Sequence, residues 1–228
     1  MGIQIRLSDV THRYGEGKAA TVEALHGISL EVSAGEFAVI MGPSGSGKST
    51  ILHLIGAVEQ PTAGTILLDE TDIATLGERE LTGIRRQKIG FVFQFFHLIP
   101  TLTVEENVSF PLLLLGTPKA ETRQRAKEVL EQTGLSGRSH HYPSELSGGE
   151  MQRVAIGRAV AHRPPLILAD EPTGNLDLQT GDAILDLLAR LREQYQPTIV
   201  MATHSGHAAS WGDKIVRITD GRLTDASP

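Results

Sequence analysis

Residues 42 to 50 read GPSGSGKST, which fits the spacing G-x-x-x-x-G-K-[ST]. An apolar, strand-like run from Glu36 to Met41 precedes it, and a helical pattern from Lys48 to Val58 follows. Strand, glycine loop and helix in that order is the context a phosphate-binding loop needs. The glycines Gly42, Gly45 and Gly47 let the backbone wrap so that successive N–H groups point inward at an anion. The helix that starts near Lys48 adds the positive end of its dipole. Contacts to a nucleoside triphosphate are therefore expected along Gly42, Pro43, Ser44, Gly45, Ser46, Gly47, Lys48, Ser49 and Thr50. Lys48 would reach the β- and γ-phosphates, and the Ser49 hydroxyl would ligate Mg²⁺. A glycine turn with no ligand would require neither the lysine nor the hydroxyl.

Such a loop belongs in an α/β domain, and the rest of the chain reads that way. Thr65 to Leu68, Ile89 to Phe93, Pro165 to Ala169 and Thr198 to Ala202 are short apolar runs, and the last two suit the centre of a parallel sheet. Lys214 to Ile218 and Arg222-Leu223 read as a closing hairpin around Asp220-Gly221. Between about residues 96 and 163 the strand signals vanish, and Val104 to Leu115, Ala120 to Thr133 and a segment from Gly148 look helical. The expected organisation is one domain over residues 1–228, its core at about 1–95 and 164–228, with an inserted α-helical subdomain at about 96–163.

Two acids end the run Leu166-Ile-Leu-Ala-Asp170-Glu171. Beside a phosphate loop, an aspartate at a strand end holds Mg²⁺. Glu171, one residue on, is placed to orient and deprotonate an attacking water. Gln94 and His204 each close a strand at the carboxyl end, where ligands of α/β sheets gather. By position alone, each is equally a structural or solvated residue.

The bulk numbers narrow the class. With 228 residues, 40% hydrophobic and 21% charged, the chain is of ordinary globular composition. A formal net charge of −6 disfavours nonspecific binding to nucleic acid. The absence of cysteine excludes a disulfide scaffold and thiolate metal sites. No signal peptide is visible, and the longest apolar stretch, Phe110 to Leu115, is too short to span a bilayer. A cytoplasmic chain is expected, with any membrane role exercised through a separate partner.

The segment ELSGGEMQRVAIGRAV (145–160) poses a different question. It reads as a helix, with Arg153 and Arg158 expected on the solvent side, yet it opens with Ser147-Gly148-Gly149. Glycine costs roughly 1 kcal/mol relative to alanine within a helix. Ser147 and Glu150 have capping-box spacing, which accounts for the start but not for two glycines. Side-chain-free residues at a helix N-terminus allow close approach of an anion. Since the chain already has its own phosphate loop, the second anion site points to a ligand held by another copy.

These residues resemble the nucleotide-binding subunit of ATP-binding cassette (ABC) transporters, whose signature motif is similar to Leu146-Ser-Gly-Gly-Glu-Met-Gln152. The resemblance covers nearly the whole chain. It implies a P-loop NTPase core with a mainly parallel sheet, an N-terminal antiparallel β region and an inserted helical subdomain. It also implies a head-to-tail homodimer in the ATP-bound state, with Ser147, Gly148 and Gly149 at the ATP of the partner. Tyr14 would stack on adenine, and Gln94 would sense Mg²⁺. Asn175-Leu176-Asp177 would cross the dimer interface and bring Asp177 to the partner's ATP. His204 would hold the γ-phosphate, and Ser49, Gln94 and Asp170 would surround Mg²⁺. Three residues depart from the common pattern: Met151, Gly157 and Ser205, the last standing where an aspartate is common.

Within that family, Phe91 to Val108 (FVFQFFHLIPTLTVEENV) and Pro172 to Asp177 (PTGNLD) look like the MacB/LolD group. Those ATPases drive efflux or lipoprotein release by moving a permease. Here the permease is expected to be a separate chain, with its short cytoplasmic helix docking near Gln94, Phe95, Phe96 and Leu98. The ATPase would then sit peripherally on the inner face of the membrane. Antimicrobial-peptide resistance, cell-division-type and amino-acid-import systems are the alternatives. A soluble family member acting on DNA or ribosomes lacks support, because the chain shows no long coiled-coil insertion and no second ATPase unit. The signature segment and Glu171 argue against a P-loop kinase.

Overall fold

Two sheets of opposite character sandwich one helix. The computed structural model describes residues 2–15 and 22–225. The strands are β1 (Ile5–Tyr14), β2 (Val22–Val32), β3 (Phe37–Met41), β4 (Ala63–Leu68), β5 (Thr71–Asp72), β6 (Ile89–Val92), β7 (Leu166–Asp170), β8 (Thr198–Thr203), β9 (Lys214–Thr219) and β10 (Arg222–Asp225). The helices are α1 (Lys48–Ile55), α2 (Glu78–Lys88), α3 (Val104–Leu114), α4 (Lys119–Gln132), α5 (Gly148–Val160), α6 (Leu178–Tyr195) and α7 (Gly206–Ala209).

The first sheet is antiparallel, ordered β2-β1-β4-β5. The second is ordered β10-β9-β3-β8-β7-β6, parallel throughout except for its edge strand β10. Its central strands are apolar on both faces because both faces are covered. In β3, Ala38 and Ile40 face a core shared with α1 and the antiparallel sheet. Phe37 and Val39 face the opposite core, built with α3, α4, α5 and α6. Val200 and Ala202 of β8 alternate with Ile199 and Met201 in the same way. Between β6 and β7 the chain carries helices and no strand among the described residues.

Strand β1 shows how a local irregularity aims side chains. Asp9 has φ 48°, and the pairing with β2 slips between Leu7 and Val10. Such a bulge adds one residue and exchanges the faces of everything after it. Ile5 and Leu7 are buried before it, whereas Val10 and His12 are buried after it.

Several sequence expectations need adjusting. Helix α1 ends at Ile55 rather than Val58, because Gly56 caps it and Ala57 turns to φ 54°. Helices α2 and α6 were not anticipated. Polar α2 buries only Leu81, but α6 carries a readable signal: an Asp177 N-cap followed by buried Ile184, Leu187, Leu188 and Leu191. Arg158 does not lie on the solvent side. Its guanidinium is largely buried and donates to the Phe96 carbonyl at 2.8 Å and to that of His97. Both acceptors lie in the turn after β6, where Phe96 and His97 have φ 61° and 45°.

Candidate active site

The carboxyl ends of β3, β8, β7 and β6 meet at one edge of the parallel sheet. Because β3 lies between β8 and β9, the loop that leaves it emerges at the centre of that edge. Gly42 N–H donates to the Thr203 carbonyl at 3.3 Å, which ties the loop to β8. Gly45 and Gly47 have φ 77° and 103°, a region that side chains other than glycine's rarely enter. Helix α1 begins immediately after Gly47 without a side-chain cap, so its N-terminal N–H groups are open to the loop interior. Lys48 is buried, and its ammonium donates to the carbonyls of Gly42 and Pro43 at 2.9 Å each.

Glu171 leaves β7 with φ 45°, and its N–H donates to the Ala202 carbonyl at 2.9 Å. A left-handed conformation at a non-glycine residue is held only by its surroundings. Here the surroundings are specific. His204 Nδ1 lies 2.9 Å from Oε1, Thr203 Oγ1 donates to Oε2 at 3.3 Å, and Lys48 Nζ is 3.8 Å from Oε1. The carboxylate is largely buried, whereas His204 is open to solvent. Ser205 N–H donates to Thr203 Oγ1, and the Ser205 hydroxyl caps α7 by accepting from Ala208 N–H at 3.2 Å.

Asp170 sits deeper. Burial pushes its carboxyl above the ordinary carboxylate value, while a hydrogen bond from Ser49 and the charges of His53 and Lys48 pull the other way. Its Oδ1 is buried with no hydrogen-bond partner. An orphaned carboxylate oxygen on a residue bonded to the Ser49 hydroxyl, with Ser49 and the Gln94 amide lining a common cleft, is an all-oxygen donor set that suits Mg²⁺.

Most of these residues line a cleft of about 770 Å³, whereas Gly42, Ser46 and Asp170 are not on its wall. Tyr14, Pro43, Ser44, Gly45, Gly47, Lys48, Ser49, Thr50, Gln94, Glu171 and His204 are all on its wall. Val22, Ala24 and His26 of β2 join them, which sequence reasoning did not single out. Ser147, Gly148, Gly149 and Asp177 are not on that wall. Ser147 caps α5 in a complete capping box with Glu150, and Asp177 caps α6 by accepting from Thr180 N–H and Oγ1 at 3.0 and 2.6 Å. Asn175 donates to the Gln94 carbonyl at 3.0 Å, linking the two loops.

A glycine-lined phosphate cradle, a buried lysine, an orphaned aspartate and a clamped glutamate together define a nucleoside triphosphatase of the P-loop class. The sequence profile of the ABC transporter family matches residues 25–174, and this chain belongs to that family. It is similar to the macrolide export ATP-binding/permease protein MacB of Brucella melitensis, at 47% identity over 96% of this chain and 34% of that protein. It is also similar to the lipoprotein-releasing system ATP-binding protein LolD of Geobacter metallireducens, at 44% identity over 98% of this chain and 99% of that one. Among solved structures, a dimeric post-hydrolysis state of the ATP-binding cassette MJ0796 bound to ADP and Pi superimposes with a TM-score of 0.88. That match has 44% identity and covers 97% of each chain. The chain is the ATP-binding, ATP-hydrolysing subunit of an ABC transporter.

Proposed function

We propose that this chain powers a separate membrane permease of the MacB/LolD type through ATP-driven, head-to-tail dimerisation. The observation that carries the reading is the division of residues between two places. The phosphate loop, Glu171, Gln94 and His204 share one cleft, to which Asp170 is joined by its hydrogen bond with Ser49, while Ser147 to Gly149 lie off it and Asp177 lines a neighbouring pocket with Glu171 and His204. The open N-terminus of α5 at Ser147 to Gly149 would then meet an ATP presented by another copy, with Asp177 at the seam between the two.

In this reading the loop N–H groups and Lys48 hold the β- and γ-phosphates, and Tyr14 stacks on adenine. Ser49, Asp170 and Gln94 would hold Mg²⁺, which when bound would neutralise phosphate charge. Glu171 orients the attacking water and accepts its proton, positioned by His204 and Thr203. Lys48 and His204 stabilise the charge that develops on the γ-phosphoryl group. Loss of the γ-phosphate removes the contact with the partner's Ser147 helix, and the dimer opens.

The helices of about residues 96–163 form the lever, set against a core of about 1–95 and 164–228. Phe95, 66% exposed, supplies an apolar surface for the permease beside Gln94 and Phe96. Leu98 packs against the helical core and contributes less. Among the described residues no helix is long and apolar enough to cross a membrane, which supports peripheral attachment through the permease on the cytoplasmic face.

Light scattering after size exclusion tests this. Glu171→Gln is expected to dimerise with MgATP and not with MgADP, and adding Ser147→Arg is expected to abolish the dimer. A Glu171→Gln chain that binds ATP yet stays monomeric even with its permease present would sink the head-to-tail reading.

A further inference from the structure

Tyr14 ends β1 at the mouth of the cleft, 40% exposed, and its hydroxyl is not free. It donates to Glu59 Oε2 at 2.8 Å and shares a 3.2 Å contact with Thr50 Oγ1. Both partners belong to the α1 unit. Thr50 lies in its first turn, next to Ser49. Glu59 follows its last turn, and its backbone N–H donates to the His53 carbonyl of α1. The Glu59 carboxylate holds two more side chains. His53 Nδ1 is 3.3 Å from Oε1, and buried His12 places Nε2 3.0 Å from Oε2, although its N–H is not aimed along a hydrogen bond. The His12 ring in turn meets the Tyr14 ring edge-on, with centroids 4.6 Å apart and planes at 83°.

Tyr14 and the phosphate loop stand on different sheets. The loop leaves β3 of the parallel sheet, and Tyr14 closes a strand of the antiparallel one. The Tyr14 hydroxyl reaches across to Thr50 of α1, the helix on which the loop ends, and to Glu59 just beyond it, its one charged partner among the described residues.

We propose that Glu59 is a positioning residue for the nucleotide base. Through the Tyr14 hydroxyl it sets the distance and tilt of the aromatic platform relative to the phosphate cradle. The inference rests on the reading of Tyr14 as the adenine platform. It adds that the platform is adjusted from α1, by a carboxylate that touches no part of the ligand. Glu59 then bears on the base and leaves the phosphates alone.

Calorimetric titration of the full chain with ADP and, in parallel, with inorganic pyrophosphate separates these contributions. Tyr14→Ala is expected to raise the Kd for ADP about tenfold, the scale of one lost base-stacking contact. Glu59→Ala and Tyr14→Phe are each expected to raise it about three- to tenfold, the scale of one lost hydrogen bond. The double variant should be no weaker than Glu59→Ala alone. Glu59→Gln, whose amide oxygen still accepts from the hydroxyl, should stay within about twofold of the parent. Pyrophosphate affinity should be the same in all of them.

Equal losses for ADP and pyrophosphate in Glu59→Ala would overturn the proposal by placing Glu59 with the phosphate loop. Multiplying effects in the double variant would overturn it too. If Glu59→Ala fails to fold, Tyr14→Phe decides alone, and parental ADP affinity in that variant overturns the proposal. Tyr14→Ala with unchanged ADP affinity would instead remove the platform reading itself.

Discussion

His162 follows α5 with both ring nitrogens buried. The Ile89 backbone approaches the ring, but neither nitrogen makes a hydrogen bond of normal geometry. Burial, with a smaller contribution from the Arg125 charge, lowers its pKa from 6.5 to about 4. Arg85, Arg86, Arg158 and Arg163 line the same surroundings, opposed by Glu121 and Glu128 farther along the groove. The folded chain therefore binds this proton less tightly than the unfolded chain does. Stability from this residue is complete above about pH 6.5 and declines as the pH falls toward 4, by up to about 3 kcal/mol. Urea unfolding of the parent and of His162→Leu across that range should show a steeper acid loss in the parent. Parallel curves would mean that the imidazole is hydrated. Arg158 teaches the opposite lesson about legibility. Its helical position pointed it to solvent, but its acceptors lie at Phe96 and His97, 62 and 61 positions away, and no pattern within the helix encodes them.

At the scale of elements, the paired glycines of α5 differ in what surrounds them. Gly148 would accept a Cβ with only ordinary contacts, the nearest being Leu176 at 3.4 Å. A Cβ on Gly149 would lie 2.5 Å from the Thr180 methyl of α6. Thr180 cannot turn away freely, because its hydroxyl donates to Asp177 at 2.6 Å. Gly149 thus lets the start of α5 pack against the first turn of α6, next to the Asn175-Leu176-Asp177 loop. This contact within one chain was not foreseen from the sequence, which suggested only an approaching anion. Gly149→Ala is expected to cost about 1–2 kcal/mol of stability through overpacking and a lost hydrogen bond. Adding Thr180→Ser, which removes the methyl and keeps the hydroxyl, should recover most of it in urea unfolding. A Gly149→Ala chain as stable as the parent would show that α6 shifts without cost.

At the scale of the molecule, the formal charge of −6 on each copy opposes association, and each bound nucleotide adds to the repulsion. The MgATP dimer of Glu171→Gln should therefore strengthen as salt rises from about 20 mM to about 200 mM, where the Debye length shortens to roughly 7 Å. Sedimentation at several salt concentrations reads this directly. Weakening with salt would show that complementary charges at the interface outweigh the net repulsion.

The phosphate loop, the apolar strands, the acid pair and the capped α5 could all be read before any coordinates, because each is set within a few consecutive residues. Backbone conformation, helix capping and strand alternation are local physics. Only the folded chain decided that a bulge at Asp9 would bury His12 and bring Tyr14 within reach of Glu59. The folded chain likewise decided that Arg158 would brace the turn after β6, that Thr180 would occupy the space left by Gly149, and that His204 and Thr203 would clamp Glu171. Those contacts join residues 31 to 62 positions apart, and packing distance across the two cores sets them rather than spacing along the chain.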